Sequence, residues 1–209
     1  MIYDTIDYNG KTITIHYDTD AENPRDFECN LGTIYSHDRM AEGDLDEITT
    51  EHGTINPARL TKDYIWLWIW KYEHGGVAFS ASAEGQGNPF TGRAAHAYFD
   101  SGRWGIIAVS KDKARDAYGV QRITPALRAR ILAGLKAEVE EFSAYCNGDV
   151  FGYTIEDEDG QELDGQCFGF YGDDFDANGL LDAARAEVDA LDYVGDTLDS
   201  LTEHTAHAA

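Results

Sequence analysis

The sequence predicts an α+β protein with a mainly antiparallel sheet. Strand-like segments occur in pairs around Asn9-Gly10 and Asp159-Gly160, and such dipeptides between alternating segments indicate β-hairpins. Helical periodicity is concentrated in one long amphipathic helix at about 125–145 and an acidic C-terminal helix at roughly 177–191. Hairpins with helices segregated from them are typical of the α+β class, in contrast to alternating βαβ units.

The opening segments predict a hairpin followed by loops. Residues 2–8 and 11–17 are rich in β-branched and aromatic side chains and alternate in polarity, so they predict two paired strands. A polar stretch at 18–26 predicts a loop, and 31–36 predicts a short strand or turn. Residues 40–56 show no regular pattern.

An aromatic strand is predicted at residues 64–72. Its tryptophans are two residues apart, which is strand spacing; they are Trp66, Trp68 and Trp70. Because Ile65, Leu67 and Ile69 form the opposite face, we expect a central strand that is buried on both sides. Stacking of bases or sugars on the tryptophans is the alternative reading of such a stripe.

The second half of the chain predicts further strands and a short helix. The strands are expected at 77–83, 102–109, 150–156 and 162–171. The turn-rich residues between 84 and 92 predict a loop. A short helix is expected to begin after Ser110 as its N-cap and to end at Gly119.

The long helix has an unusual order of charges. Thr124-Pro125 supplies its cap and first turn, and apolar residues recur at steps of three and four up to about Tyr145. Its bases, Arg128 and Arg130, come first, and its acids come last: Glu138, Glu140 and Glu141. This order opposes the helix dipole, so we expect the charges to serve something besides helix stability.

Length and composition favour one folded domain in a reducing compartment. The 209 residues are 43% hydrophobic, enough for a packed core, and we expect a single domain over 1–195 with a frayed acidic tail at 196–209. No run approaches the ~18–20 apolar residues of a membrane span, and the amino terminus lacks a signal-peptide pattern, so a cytoplasmic location is predicted. Three cysteines without CxxC spacing, Cys29, Cys146 and Cys167, are expected to be buried small side chains.

The net charge of −23 is unevenly distributed along the chain. Residues 136–209 hold 20 acidic and 2 basic residues, whereas 61–135 hold 6 acidic and 10 basic ones. Coulomb repulsion disfavours direct binding to nucleic acid or to an anionic membrane. The favoured partner has a cationic surface, such as the basic cleft of a nucleic-acid-binding protein, and an acidic coat for solubility is the alternative. Residues 61–135 are net positive. Their contact with the acidic portion of a second copy would form a homodimer, which is a further alternative.

Signatures of catalysis and of metal binding are weak. No phosphate loop, dinucleotide fingerprint, HExxH or GxSxG sequence is present, which favours a binding protein over an enzyme without deciding between them. No cofactor is expected, with calcium as the one alternative. A calcium-loop pattern places Asp174, Asp176, Asn178 and Asp182 at positions 1, 3, 5 and 9, but Arg185 replaces the bidentate glutamate at position 12. An acidic lead-in to a helix is the favoured interpretation.

The histidines are predicted to lie on the surface or in turns. They occur on separate elements, and only His37 has a carboxylate beside it in sequence, Asp38. A nucleophilic Cys29 paired with His37 is the less favoured alternative to a structural cysteine.

Several motifs in a fixed order carry a resemblance over about residues 20–185. They are NLGT at Asn30–Thr33, the FDSG block at Phe99–Lys111, NGDVFGY at Asn147–Tyr153 and GFYG at Gly169–Gly172. With these motifs the chain resembles a family of small acidic proteins encoded by phages, prophages and plasmids. The resemblance implies a mobile-element origin and brings no established activity. The sequence departs from the family at His37–Asp44, where relatives tend to be basic.

These observations together predict an anti-defence protein of the host-cell cytoplasm. It would bind a host restriction or CRISPR-type complex and inhibit it through an acidic, DNA-mimicking surface. The carboxylates expected to bind this partner are Glu156, Asp157, Glu158, Asp159, Glu162 and Asp164 on the late hairpin and Asp173, Asp174 and Asp176 beside it. Two alternatives remain open: a phage structural or regulatory protein whose acidity serves solubility, and a divalent-metal-dependent enzyme acting on nucleotides or nucleic acid.

Overall fold

The computed structural model describes residues 1–36, 57–191 and 193, and the chain divides into two compact units. Unit 1 comprises Met1–Ala21 and Gly148–Ala209, and unit 2 comprises Glu22–Asn147. Each unit contains a four-stranded antiparallel sheet and at least one helix, which confirms the α+β class. Two segments that are distant in sequence build unit 1. The single domain expected over 1–195 stays a prediction. The tail at 196–209 lies outside the described residues.

The elements follow the predicted order closely. Strands are β1 (Ile2–Tyr8), β2 (Lys11–Tyr17), β3 (Thr33–Ser36), β4 (Tyr64–Glu73), β5 (Val77–Ser82), β6 (Ser101–Ser110), β7 (Val150–Glu156) and β8 (Glu162–Tyr171). Helices are α1 (Pro57–Asp63), α2 (Ala97–Asp100), α3 (Lys111–Ala117), α4 (Pro125–Asn147) and α5 (residues 180–191), with a 3₁₀ turn at Pro24–Asp26. Three short elements were not predicted: α1, α2 and the 3₁₀ turn. One or two helical turns leave little periodic signal.

Unit 1 is an antiparallel sheet of two hairpins with a helix on one face. Its strand order is β1-β2-β7-β8, and the register pairs Ile13 with Ile155 and Ile15 with Tyr153. These side chains point to one face because strand side chains alternate with period two. They form a buried cluster with α5, whose contributing residues are Leu180, Leu181, Ala184 and Val188. Both predicted hairpins are therefore confirmed, and they pair with each other through β2 and β7.

Unit 2 has a sheet that is apolar on both faces. Its strand order is β3-β6-β4-β5, so β4 is an inner strand, as predicted. One face packs against α4 through Ile131, Leu135, Val139 and Phe142. The other face carries Trp66 and Trp68, which are 6% and 9% exposed, together with Leu60 of α1. Trp66 and Trp68 are therefore core residues, as expected, whereas Trp70 is partly buried. The burial of Trp66 and Trp68 excludes base stacking on these two rings.

A buried ion pair fixes α4 against the loop before β3. The Arg25 side chain donates from Nη1 to Glu138 Oε2 at 2.9 Å and from Nη2 to the Gly32 carbonyl at 2.7 Å. Glu138 Oε1 accepts the backbone N–H groups of Leu31 at 2.9 Å and Gly32 at 3.1 Å. This arrangement explains why an acid occurs in the second half of α4: Glu138 binds the loop, as the reversed order of charges suggested.

The NLGT motif belongs to the same network. Asn30 accepts from Arg25 Nη1 and donates to the carbonyls of Pro24 and Phe27, at 2.8 and 2.7 Å, so its amide closes the loop. At Gly32 a Cβ would lie 2.6 Å from side-chain atoms of both Ile107 and Leu135. Only glycine allows the loop to approach the sheet and helix this closely. The motif is therefore explained by packing.

The predicted burial of the cysteines is wrong for two of the three. Cys29 and Cys167 are exposed, and Cys146 is partly buried. Cys29 lies in the loop after the 3₁₀ turn, and Cys167 lies on β8, an edge strand of unit 1. All three are free. Within the described residues, no helix is long and apolar enough to cross a membrane.

Removing one partner of the buried pair should destabilise unit 2 strongly. We expect Glu138→Ala to lower the free energy of unfolding by about 3–5 kcal/mol, because the Arg25 charge stays buried without its carboxylate. All four tryptophans lie in unit 2, so urea unfolding followed by tryptophan fluorescence reports on this unit. Glu140→Ala is the matched control, since Glu140 is exposed and forms only an (i, i+4) pair with Lys136, and it should cost less than about 0.5 kcal/mol. Equal losses for the two variants would contradict the role given to Glu138.

Glu141 should make the stability of unit 2 depend on pH. Desolvation raises the pKa of its carboxyl above the ordinary value, the charge of Glu138 raises it further, and Arg25 opposes both. Because the folded protein disfavours the ionised form, this group lowers stability above its raised pKa and ceases to do so as the pH falls below the ordinary value. We expect Glu141→Gln to be more stable than the parent at about pH 7, with a difference that shrinks towards about pH 4. A difference independent of pH in paired urea titrations would refute this assignment.

Candidate binding surface

The acidic residues of the protein are concentrated in unit 1. This unit has 21 acidic residues and 2 basic ones, Lys11 and Arg185, whereas unit 2 has 18 acidic and 14 basic residues. Of the 21, 17 lie in the described part of the chain. The net charge is therefore −19 for unit 1 and −4 for unit 2. Because the core of unit 1 is apolar, this charge lies on its surface.

One group of carboxylates surrounds the β7–β8 turn. Asp157 builds this turn, since its Oδ1 accepts the backbone N–H groups of Asp159 at 3.0 Å and Gln161 at 2.8 Å. Glu156 and Glu162 face each other across the strands just below the turn. Two like charges directly opposite one another repel, so this pair destabilises the strand pairing. We call Glu156, Asp157, Glu158, Asp159, Glu162 and Asp164 the turn-end cluster.

The turn of the first hairpin lies beside this cluster. A Cβ added at Gly10 would meet Glu158 Oε1 at 3.0 Å, so the two turns are neighbours. Asp189, near the end of α5, accepts hydrogen bonds from Asn9 Nδ2 at 2.9 Å and from the Tyr8 hydroxyl at 3.3 Å. The structure thus adds Asp189 to this end of the sheet, a neighbour that no sequence pattern relates to Asn9.

A second group of carboxylates lies at the opposite end of the sheet. Asp173, Asp174 and Asp176 follow β8, and the Gly172 N–H donates to the Asp149 carbonyl at 2.8 Å. Asp18 joins them, because its N–H donates to the Val150 carbonyl at 2.8 Å. These residues are the strand-end cluster: Asp18, Asp149, Asp173, Asp174 and Asp176. The seven residues of β7 separate the clusters by about 20 Å at ~3.3 Å per residue. The nine predicted carboxylates therefore form two groups and not one.

Most of the predicted carboxylates are exposed, and none of them is ion-paired with a described residue. Seven of the nine are exposed, and Glu156 and Asp157 are partly buried. Among the residues that the structure describes, none of the nine forms an ion pair with a Lys, Arg or His. Arg185 lies instead 6.0 Å from the Tyr8 ring. Unpaired carboxylates of one sign produce a negative potential that attracts cationic surfaces.

The calcium-like segment serves as the lead-in to α5. Asn178 Oδ1 accepts the Leu180 N–H at 3.0 Å, and its Nδ2 donates to the Gly172 carbonyl at 2.7 Å. Asp174 Oδ1 accepts the Ala177 N–H at 3.1 Å. Asp182 follows within α5 and is exposed. These hydrogen bonds support the role of the segment as a helix lead-in. In the described part of the chain, no group of three or more His, Cys, Asp or Glu side chains is arranged to hold a metal ion.

Unit 2 contains a histidine–carboxylate pair that no sequence pattern indicated. His74 Nδ1 lies 2.8 Å from Asp100 Oδ2, and the His74 ring lies 5.6 Å from the His96 ring. These residues are far apart in sequence, so spacing could not reveal the pair. The sequence-adjacent His37 and Asp38, and also His52, lie outside the described residues. Cys29 is described, but its proposed partner His37 is not.

Comparison with protein families, with curated proteins and with solved structures finds no match to this chain. The fold and the distribution of charge define the chain as an α+β protein with one strongly acidic unit.

Within the turn-end cluster, the Asp157 carboxylate should stabilise the β7–β8 turn. We expect Asp157→Ala to destabilise the β7–β8 hairpin by about 1–2 kcal/mol, because two backbone N–H groups lose their acceptor. Asp159→Ala should have little effect, since Asp159 is exposed at the tip. Amide hydrogen exchange of β7 and β8 measures the difference. Similar exchange rates in the two variants would show that the Asp157 carboxylate does not hold the turn.

Proposed function

We propose that this chain is a protein inhibitor that binds a nucleic-acid-handling defence complex of its host through the acidic surface of unit 1. The observation that carries the proposal is the charge of this unit, 21 acidic residues against 2 basic ones. A duplex carries about one phosphate charge per 1.7 Å of axis, so a cleft that receives it is strongly cationic. Such a cleft is the partner that an unpaired acidic surface fits best.

The arrangement of the two clusters supports contact over an extended surface. About 20 Å of duplex axis carries roughly a dozen phosphates, and the two ends of β7 are separated by about that length. The sheet between them is a rigid scaffold, because its strands are paired along their length and packed on α5. Rigid placement of the carboxylates lowers the entropic cost of binding. Long-range attraction would make capture fast and sensitive to salt.

The biological setting in this proposal comes from the sequence resemblance to proteins of phages, prophages and plasmids. An inhibitor of a restriction or CRISPR-type complex would act in the host-cell cytoplasm, where such complexes work. It needs neither a cofactor nor catalysis, since occupation of the cleft is sufficient. The competing explanation is that the acidity serves solubility alone. In that case the positions of the carboxylates do not matter, so variants that change these positions distinguish the two explanations.

The position of the charges, and not their number, should decide binding. We expect conversion of Glu158, Asp159, Glu162 and Asp164 to their amides to abolish capture of the partner from host lysate at low salt. Asp157 is left intact so that the turn is preserved. The parent protein should release the partner at high salt, because screening weakens interactions between exposed charges. Mass spectrometry of the captured proteins identifies the target, and a nuclease or defence complex is the expected class.

A control with the same charge change in unit 2 completes the experiment. Asp26, Glu28, Glu84 and Asp116 are exposed, and their conversion to amides alters the net charge by the same amount. This variant should retain capture. Retention by both variants would support acidity for solubility, and loss in both would indicate that net charge alone matters. Either result overturns the proposed surface.

A further inference from the structure

Two imidazole rings of unit 2 lie next to each other on its surface. His74 follows β4 in the turn to β5, and His96 is the residue before α2. Their ring centroids are 5.6 Å apart, with an angle of 33° between the ring planes. Both residues are exposed, so a ligand from solvent has access to the two rings.

A carboxylate fixes the orientation of one ring. His74 Nδ1 lies 2.8 Å from Asp100 Oδ2. When Nδ1 carries the proton and donates to this carboxylate, Nε2 keeps its lone pair on the other side of the ring. Asp100 is held in turn, because its backbone N–H donates to the His96 carbonyl at 3.0 Å. A histidine that binds a metal through one nitrogen is characteristically oriented in this way through the other.

Contacts that do not involve the imidazole nitrogens hold the two segments together. The Tyr72 hydroxyl donates to the Ala95 carbonyl at 2.8 Å, which fixes the residue before His96 against β4. The Tyr72 ring also stacks on the Phe90 ring, with the centroids 5.4 Å apart, and on the His74 ring at 6.2 Å. A ligand that joins the two imidazoles therefore does not have to bring the segments together, which lowers the entropic cost of binding.

The remaining ring nitrogens have no hydrogen-bond partner in the part of the chain that the structure describes. This applies to His74 Nε2 and to both nitrogens of His96. Because no described hydrogen bond fixes the His96 ring, rotation about its Cβ–Cγ bond directs either nitrogen towards a ligand. The pair therefore offers two imidazole lone pairs, which are ligands for transition-metal ions.

The distance between the rings fits one metal ion. A zinc ion binds an imidazole nitrogen at about 2.0–2.1 Å, which places the ion roughly 3.2 Å from the centre of the ring. Ring centres that are 5.6 Å apart then correspond to an angle of roughly 120° at the ion, near the tetrahedral geometry that zinc prefers. The two segments keep their positions when such an ion binds.

We propose that His74 and His96 bind one divalent transition-metal ion of the zinc class and that Asp100 positions His74 for this role. Imidazole suits Zn²⁺, Cu²⁺ and Ni²⁺, whereas Mg²⁺ and Ca²⁺ take oxygen ligands. Among the described residues no third protein ligand completes the group, so water fills the other coordination positions. The ion links the β4–β5 turn to the segment before α2. This site is independent of the acidic surface of unit 1.

Zinc binding is tested on the full-length protein by calorimetric titration in excess Mg²⁺. Magnesium occupies exposed carboxylates and does not compete for imidazole. We expect one zinc site per chain that His74→Gln and His96→Gln each weaken at least about tenfold, because each variant removes one of two protein ligands. In NMR titrations, the ring signals of His74 and His96 should shift together at the same zinc concentration.

The role of Asp100 has its own variant and a matched control. Asp100→Asn should weaken zinc binding by about 10–100-fold, and the ¹⁵N shifts of the His74 ring should show loss of the Nδ1–H form before zinc is added. Glu73→Gln removes a neighbouring exposed carboxylate that pairs with Lys71 instead, so it should bind zinc like the parent. Equal losses in these two variants would refute the positioning role.

His16→Gln is the control for loss of a histidine. His16 lies on β2 of unit 1, where its Nε2 is 2.9 Å from Thr154 Oγ1, and this variant should bind zinc like the parent. Unchanged affinity in His96→Gln, an equal loss in His16→Gln, or displacement of zinc by the excess Mg²⁺ would overturn the proposal. Zinc that shifts only the signals of His204 and His207 would also overturn it, by placing the ion on the C-terminal residues.

Discussion

The ion pair between Arg25 and Glu138 is the constraint on which unit 2 depends. It joins residues 113 apart in sequence, and the same carboxylate binds two backbone N–H groups of the loop before β3. Such a pair is costly to break, because each charge is removed from water and satisfied only by the other and by the surrounding hydrogen bonds. Correct seating of the loop allows Gly32 to approach Ile107 and Leu135, so the ion pair and the core depend on each other.

This arrangement separates structural charges from charges available to a partner. In unit 2, three acidic side chains have local partners: Glu138 binds Arg25, Asp100 binds His74, and Glu73 binds Lys71. In unit 1, none of the nine carboxylates predicted to bind a partner forms an ion pair with a described Lys, Arg or His. Mutual repulsion among them opposes folding, and the apolar contacts between the sheet and α5 offset this cost. Retaining such a surface is consistent with a function in binding.

The sequence by itself determined the local elements and the acidic character of the protein. Asn9-Gly10 and the alternation around Asp159-Gly160 predicted both hairpins, and the apolar steps from Leu127 to Phe142 predicted α4, because turn chemistry and periodicity are local properties. Tertiary structure decided which distant residues meet: Arg25 with Glu138, His74 with Asp100, and β2 with β7 in one sheet. It also placed Asp173–Asp176 about 20 Å from the β7–β8 turn, because β8 runs the length of the sheet between them. Strand pairing and side-chain contact over long separations leave no periodic signal, and for that reason only the folded structure shows them.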